Sequence, residues 1–253
     1  MTGFGPLLGK ELREQWRTRR LLVVGVVFVA FGITSPLLAR YTQELVRALA
    51  GDQFQLTLPD PTQADAVSQF LKNIGQTGAL AAVLLAMGSV ATEKERGIAA
   101  LILSKPASRS AYLAAKLVAI ATTLGIGVIL AAIGAFVYTA ILFETPSISG
   151  WLGMTVLVLL SLVVYAAITF LGSALFNSAV AAGAFGLAGI VLTAVVGAIP
   201  SVASVTPGAL NTVAGEVALG RAAADVPSAV VANVVLVSVA SVGAWLAFRR
   251  QEL

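Results

Sequence analysis

The sequence predicts an all-α integral membrane protein with six transmembrane helices. Of the 253 residues, 58% are hydrophobic and only 11% are charged, and the mean hydropathy is +0.94. A soluble domain carries about 25% charged residues, so this chain has too few charges to cover a surface that faces water. Several apolar runs reach the roughly 20 residues that a helix needs to cross a bilayer. No alternating pattern typical of a membrane barrel occurs, so the spans are predicted to be helices.

The first predicted element is a basic amphipathic helix within residues 1–20. One stripe of this helix carries mostly apolar side chains: Leu7, Leu8, Leu12, Gln15 and Trp16. The other side carries the bases: Lys10, Arg13, Arg17 and Arg20. A helix of this kind lies in the membrane interface, with its tryptophan at the depth of the headgroups. The alternative is that the bases only fix the orientation of the first span.

Six apolar segments follow as predicted spans: 21–39, 78–91, 117–143, 151–175, 179–199 and 229–248. The second span is short as drawn and is expected to begin nearer Ile74. Only the stretch "FNSA" separates the fourth span from the fifth. Between the first two spans, residues 40–51 form either a short amphipathic helix or part of a solvated external loop. Asp60 or Thr62 is then able to start a further helix.

The distribution of basic residues predicts that both termini lie in the cytoplasm. Residues 1–20, 92–116 and 249–253 hold five, five and two of the 16 Lys and Arg residues, whereas the segments on the other side hold four bases against seven acids. Cytoplasmic loops of membrane proteins are enriched in Lys and Arg. We therefore expect a multi-pass protein of the cell membrane. The net charge of +4 belongs to these loops, and no nucleic-acid partner is predicted.

Several classes of function are disfavoured by residues that the sequence lacks. The chain has no Cys and no His, which removes disulfides, thiolate metal sites and the commonest general base. No ionisable residue falls well inside a predicted span. That absence argues against proton-coupled or sodium-coupled carriers and against an intramembrane hydrolase. No G-x-x-x-x-G-K-[ST] motif occurs, so the chain is predicted to have no ATPase site of its own.

Residues 92–116, "TEKERGIAALILSKPASRSAYLAAK", form the one dense group of charges in the middle of the chain. Residues 93–96 form a charged collar after the second span, and Gly97 permits a sharp change of direction. A short helix ends at Pro106, and Ser108 or Ser110 caps the next helix. One face of the short helix is apolar: Ile98, Leu101 and Ile102. An apolar helix bordered by charges is typical of a docking surface for a partner protein.

The segment from 200 to 228 differs from the other loops. It is apolar, yet three prolines and three glycines interrupt it. It is too apolar for an ordinary external loop and too interrupted for a span. Short re-entrant or interfacial helices before the last span explain both properties. The alternative is a hydrophobic loop that packs on the outer ends of the spans.

The dense charged segment carries a resemblance to a known family. "EKERGIAALILSKPASRSAYLAAK" resembles the motif of permease subunits of the ABC-2 exporter family, and "KELREQWRTRR" is similar to that family's opening element. The matching positions are Lys10, Glu11, Arg17, Glu93, Glu95, Gly97, the Leu-Ile-Leu-Ser run, Pro106, Ser108, Arg109 and Lys116. Six spans, cytoplasmic termini and the interrupted segment extend the resemblance over nearly the whole chain, as a single transmembrane domain of residues 1–253.

The resemblance implies a division of labour between several subunits. Permeases of this family pair with a second copy or a homologous permease, and they bind separate ATPase subunits that hold ATP and Mg. The loop after the second span is then a coupling helix, and the opening element, residues 1–20, is a connecting helix. The expected ATPase-coupling interface is Glu93, Glu95, Arg96, Gly97, Leu101, Ser104, Pro106, Ser108 and Arg109. The expected connecting-helix residues are Lys10, Glu11, Arg13, Trp16 and Arg17.

The function implied by the resemblance is that of a transmembrane permease without covalent chemistry or a bound cofactor of its own. ATP hydrolysis by nucleotide-binding subunits would drive a substrate across the cytoplasmic membrane. The alternative is an ATPase-linked membrane scaffold or mechanotransmitter that moves no solute. Within the family, the chain is most similar to small permeases grouped with copper-enzyme maturation or with ion and antibiotic export. It offers poor copper ligands, because it has no Cys or His and only three Met.

Overall fold

The computed structural model describes residues 3–50, 60–104, 107–223 and 225–251. The helices are α1 (Phe4–Arg17), α2 (Arg20–Ala50), α3 (Gln63–Met87), α4 (Ala91–Glu95), α5 (Ile98–Leu103), α6 (Arg109–Leu142), α7 (Ile148–Leu175), α8 (Ala179–Gly197), a 3-10 helix (Ala203–Val205), α9 (Pro207–Ala218) and α10 (Val226–Arg249). No strand occurs within these described ranges. The predicted all-α class is confirmed.

Six helical stretches in the described part of the chain are long and apolar enough to cross a membrane, as predicted. They are Arg20–Leu45, Gln63–Glu95, Arg109–Leu142, Ile148–Leu175, Ala179–Gly197 and Val226–Arg249. The predicted break after the fourth span is confirmed, because α7 ends at Leu175 and the Ser178 hydroxyl caps α8. The predicted bounds differ most at the first two spans. Helix α2 continues without a break from the first span to Ala50, so residues 40–49 do not form a separate helix.

Helix α3 begins fifteen residues before the predicted second span. The prediction missed its first turns because polar residues occur there. Thr62 is its N-cap, as one of the two expected starts, and the Asp65 carboxylate accepts hydrogen bonds from the Thr62 N–H (2.8 Å) and hydroxyl (2.7 Å). Such a capping box fixes the first turn of a helix. The apolar residues of these turns recur at helical spacing and are buried: Ala66, Val67, Phe70 and Ile74. A hydropathy average does not detect this stripe.

Helix α7 is the centre of the bundle, in contact with α3, α6, α8, α9 and α10, while α2 pairs closely with α6. Glycines allow the closest approaches. An ideal Cβ on Gly32 of α2 would overlap the backbone carbonyl of Ala131 in α6. An ideal Cβ on Gly150 of α7 would lie 2.5 Å from the carbonyl oxygen of Val217 in α9. Small residues at helix contacts are typical of membrane bundles, since they let backbones come close.

The segment from 200 to 228 contains the 3-10 helix and α9, as its pattern predicted. Helix α9 lies along the N-terminal half of α7, from Gly150, beside Val217, to Ser161, whose Oγ lies 3.5 Å from Asn211 Oδ1. The eleven-residue spacing of the two α7 positions corresponds to roughly 16 Å of helix. Helix α9 therefore packs alongside α7 over this length. Re-entry of these helices into the membrane stays a prediction.

Candidate functional site

In the segment between α3 and α6, residues 88–108, the described residues 88–104 form a helix, a turn and a second short helix, in agreement with the sequence. Gly97 adopts a left-handed conformation (φ 69°, ψ 5°) and redirects the chain from α4 into α5. Ser108 is the N-cap of α6, and its hydroxyl accepts a hydrogen bond from the Ala111 N–H at 3.1 Å. Pro106, expected to end α5, lies outside the described residues. We refer to residues 88–108 as the α4–α5 segment.

Helix α5 presents an exposed apolar face at this end of the bundle. Leu101 is 69% exposed and Ile98 is 37% exposed, whereas Ala99 on the opposite face is fully buried. Glu95, Arg96, Gly97 and Ser104 of the predicted interface are also exposed. An exposed leucine beside charged residues is available to fill a pocket of a partner protein.

Glu93, although predicted as an interface residue, is buried and belongs to a closed ring of alternating charges. Glu93 Oε1 lies 2.7 Å from Lys10 Nζ and 2.9 Å from Lys116 Nζ. Glu11 Oε1 lies 3.0 Å from the same two ammonium groups. We call Lys10, Glu11, Glu93 and Lys116 the charge ring. The charge ring joins α1, α4 and α6. Lys10 and Glu93 are 83 residues apart along the chain, and Glu11 and Lys116 are 105 residues apart.

The charge ring is balanced and well hydrogen-bonded, which makes its burial tolerable. The Lys116 side chain is only 3% exposed and the two carboxylate side chains are nearly as buried, whereas the Lys10 side chain, 39% exposed, lies at the edge of the ring. The Tyr112 hydroxyl donates to the second oxygen of Glu93 at 2.6 Å. Burial acts to lower the pKa of Lys10, but hydrogen bonds to Glu93 and Glu11 and the attraction of both carboxylates raise this pKa above its usual value. Buried ion pairs need such additional hydrogen bonds to offset desolvation.

The same carboxylates do not form a metal site. The carboxylate oxygens of Glu11, Glu14 and Glu93 come within 4.8 Å of one another. The Lys10 ammonium lies 2.7–3.5 Å from all three of these side chains, and Lys116 contacts two of them. The two ammonium groups already neutralise the position that a cation would occupy.

A second set of polar contacts fastens the α4–α5 segment and the start of α6 to α7 and α10. The Arg109 guanidinium donates to the carbonyls of Phe248 (3.2 Å), Arg249 (2.8 Å) and Gln251 (3.2 Å) at the end of α10. Cationic groups stabilise these free C-terminal carbonyls. Lys94 Nζ donates to the Ala174 carbonyl at 2.7 Å and to the Gln251 side chain at 3.2 Å. Arg109 is thus half-buried in an internal contact.

Ser173 of α7 closes the break between α3 and α4. Its hydroxyl oxygen accepts hydrogen bonds from the N–H groups of Val90 and Ala91, each at 3.0 Å, and its hydroxyl donates to the Met87 carbonyl at 2.9 Å. One side chain therefore satisfies three backbone groups that the break leaves without helical partners.

Helix α1 forms as predicted, but its faces are divided differently. Its buried residues are Glu11 and Gln15, and the polar side turns toward α6 because the charge ring lies there. Arg13, Trp16 and Arg17 are exposed, with Trp16 at 61%. The expected apolar stripe is thus split, with Leu7 packed on the core and Trp16 turned away from it. The position of Trp16 among lipid headgroups stays a prediction.

A large cavity of about 1050 Å³, open to the surface of the bundle, lies between α3, α7, α8 and α9. Its polar lining includes Asp65, Lys72, Asn211, Glu216 and Arg221. Its apolar lining includes Leu80, Leu187, Ile190 and Val191. The lining of the cavity is therefore amphipathic.

Comparison with known proteins matches residues 6–216 to the family described as "ABC-2 family transporter protein". The chain belongs to this ABC-2 family. It is also 30% identical over 185 residues to the "Uncharacterized transmembrane protein YxlG" of Bacillus subtilis (strain 168). The aligned region covers 72% of this chain and 71% of that protein. Members of the ABC-2 family are permease components of ABC transporters. This ABC-2 chain is therefore a membrane protein of the permease type, and the matched residues include the whole charge ring.

Several residues that organise the site of this ABC-2 protein were not recognised as such in the sequence. The sequence marks Lys116 only as a match to the family motif, and it predicts no role for four others: Glu14, Tyr112, Ser173 and Gln251. One signal was available for two of them. Tyr112 and Lys116 are four residues apart and share a face of α6, where polar groups at the start of an apolar span need partners. Ser173 and Gln251 carry no comparable local signal.

Proposed function

We propose that this chain is the transmembrane permease subunit of an ATP-driven exporter, powered by separate nucleotide-binding subunits that hold ATP and Mg. The observation that supports this function is α5, a short helix with an exposed apolar face at one end of a six-span bundle. Lys10 near one terminus contacts Glu93, and Gln251 near the other contacts Lys94. Both ends of the chain thus lie on the same side as α5, and the excess of bases there favours the cytoplasm.

The proposed docking surface is smaller than the predicted interface. Leu101 and Ile98 are the apolar anchors, and Glu95, Arg96 and Ser104 form the polar rim. Glu93 and Arg109 support this surface from inside the chain and do not reach the partner. ATP-driven closure of two docked ATPase subunits would displace α5, and the bundle would respond as packed rigid bodies.

The cavity between α3, α7, α8 and α9 supports movement of a substrate rather than a scaffold role. Its mixed lining fits a cargo with both polar and apolar parts, because each part would meet groups of its own kind. Helix α8 also carries a wide exposed apolar face, including Leu187, Val191, Leu192 and Val195. We propose that a second permease copy or a homologous permease completes the passage on this side.

The first experiment is co-purification in mild detergent with a candidate ATPase subunit, followed by ATPase assay with and without the permease. Leu101→Asp is expected to weaken the complex about tenfold or more, since burial of a leucine contributes about 1.5–3 kcal/mol. Leu101→Met is the matched control, because it keeps an apolar anchor of similar size. Wild-type binding by Leu101→Asp would show that α5 is not the docking helix. A wild-type permease that binds no ATPase would contradict the proposed function itself.

A further inference from the structure

The charge ring has a topology that a simple ion pair does not have. Each ammonium contacts both carboxylates. The removal of any one member therefore leaves two groups of the opposite charge with one partner fewer. Two members belong to α1, one to α4 and one to α6. The four charges sum to zero, and Tyr112 adds a fifth group that binds the free oxygen of Glu93. The arrangement holds three helices of distant sequence at one point.

The position of the charge ring relates it to the docking helix. Glu93 lies on α4, four residues before Gly97, and α4 leads directly into α5. Helix α1 continues through the turn at Thr18 and Arg19 into α2, and Arg19 has a left-handed φ of 58° there. The α4–α5 segment is not adjacent to the first span in sequence. The side chains of the charge ring link this segment to α1, and α1 leads into the first span.

We propose that the charge ring is a mechanical joint that makes α1, α4 and the start of α6 move as one body, with Glu93 as its positioning residue. The use of this joint in transport rests on the proposed function, whereas the joint itself does not. Displacement of α5 would then reach α2 through α1, in addition to α3 and α6, which flank the α4–α5 segment in sequence. A buried polar network of this kind specifies one relative position of its helices, because other positions leave charges unpaired.

Two variants separate the joint from a merely stabilising contact. Glu93→Gln leaves two ammonium groups with Glu11 as the one buried carboxylate. The remaining carboxylate near Lys10, that of Glu14, belongs to a side chain that is 44% exposed, so the buried charges no longer balance. Glu93→Gln combined with Lys116→Met restores the balance and leaves Lys10 paired with Glu11 on the same helix. The double variant is expected to recover most of the thermal stability that the single variant loses. Both variants remove the charge link between α4 and α1, so a joint is lost in both.

The chain has no cysteine, which makes site-specific spin labelling direct. Labels at Arg13→Cys and Ala100→Cys, exposed positions on α1 and on α5, report the distance between these two helices by pulsed electron paramagnetic resonance. In purified permease we expect one narrow distance distribution for the unmodified ring. We expect its width to increase at least twofold in the single and in the double variant. Glu95→Gln, an exposed neighbour on the same helix, is the matched control and is expected to leave the width unchanged.

The distance measurement tests the joint without an ATPase. A distribution that returns to its narrow width in the stable double variant would overturn the joint and leave the charge ring a stabilising contact. In a complex with ATPase subunits, both variants are expected to bind through the intact α5 face but to stimulate ATP hydrolysis at least threefold less than wild type. Failure of the wild-type permease to bind any ATPase would defeat the proposed function while the distance measurement still tests the joint.

Discussion

Gly97→Ala tests whether the left-handed turn between α4 and α5 sets the position of the docking helix. Gly97 has φ 69°, and an ideal Cβ at this residue would have no heavy atom within 4 Å. The substitution therefore causes no steric clash, and its cost is purely conformational. A Cβ in the left-handed region costs about 1–2 kcal/mol, which is roughly a five- to thirtyfold change in an equilibrium.

Gly220 provides a matched control for this substitution. It has φ 68° and also has no heavy atom within 4 Å of an ideal Cβ, but it lies between α9 and α10. Thermal unfolding in mild detergent should show similar losses for Gly97→Ala and Gly220→Ala, roughly 2–4 °C per kcal/mol for a chain of this length. Only Gly97→Ala is expected to reduce permease-dependent ATP hydrolysis. Gly97→Asn should retain more activity, because Asn tolerates the left-handed conformation.

Two results would refute this reasoning. Equal loss of ATPase stimulation from Gly97→Ala and Gly220→Ala would show that general stability, rather than the position of α5, controls coupling. Unchanged stability and unchanged ATPase stimulation in Gly97→Ala would show that the turn does not need a left-handed residue.

Two further substitutions test the packing that supports the site. Gly32→Ala should lower the melting temperature by several degrees, because the new methyl would meet the Ala131 backbone carbonyl. Gly25→Ala is the control and should be tolerated, because the nearest atom to its new methyl is 3.9 Å away. Equal melting temperatures of the two variants would contradict the α2–α6 contact. Ser173→Ala should cost about 1–3 kcal/mol, because two buried N–H groups at the start of α4 lose their acceptor. Ser241→Ala, which removes only a bond within α10, is its control, and similar losses would refute the role of Ser173.

The six spans were predictable because the property that defines them is local. Each span is an apolar run long enough to cross a bilayer, and a window along the sequence detects it. The bounds of α3 and α6 were less predictable for the same reason. Their first turns carry polar groups that are satisfied locally, as in the capping box at Thr62, or by a tertiary contact, as in the hydrogen bond of Tyr112 to Glu93. A window that averages hydropathy assigns those turns to loops.

The charge ring was not predictable because its members come from three distant parts of the chain. The sequence places Lys10 on the basic side of a helix at a membrane surface and Glu93 on a docking surface, and it marks Glu11 only as a connecting-helix residue. Each assignment follows the rule that charges face water or a partner. The rule fails where opposite charges from other helices complete a balanced set, and only the packing of α1 against α6 shows that they do.

The polar contacts of the α4–α5 segment distinguish α8 from the other spans. The segment is flanked in sequence by α3 and α6 and is linked to α2 by the charge ring through α1. It is joined to α7 by Ser173 and to α10 by Lys94 through Gln251. Between this segment and α8, no hydrogen bond or ion pair occurs within the described ranges. On the proposed function, a displacement of α5 would therefore reach five spans through the chain or through polar contacts, and α8 only through packing. Because α8 lines the large cavity, movement of the other spans relative to α8 would change the shape of that cavity.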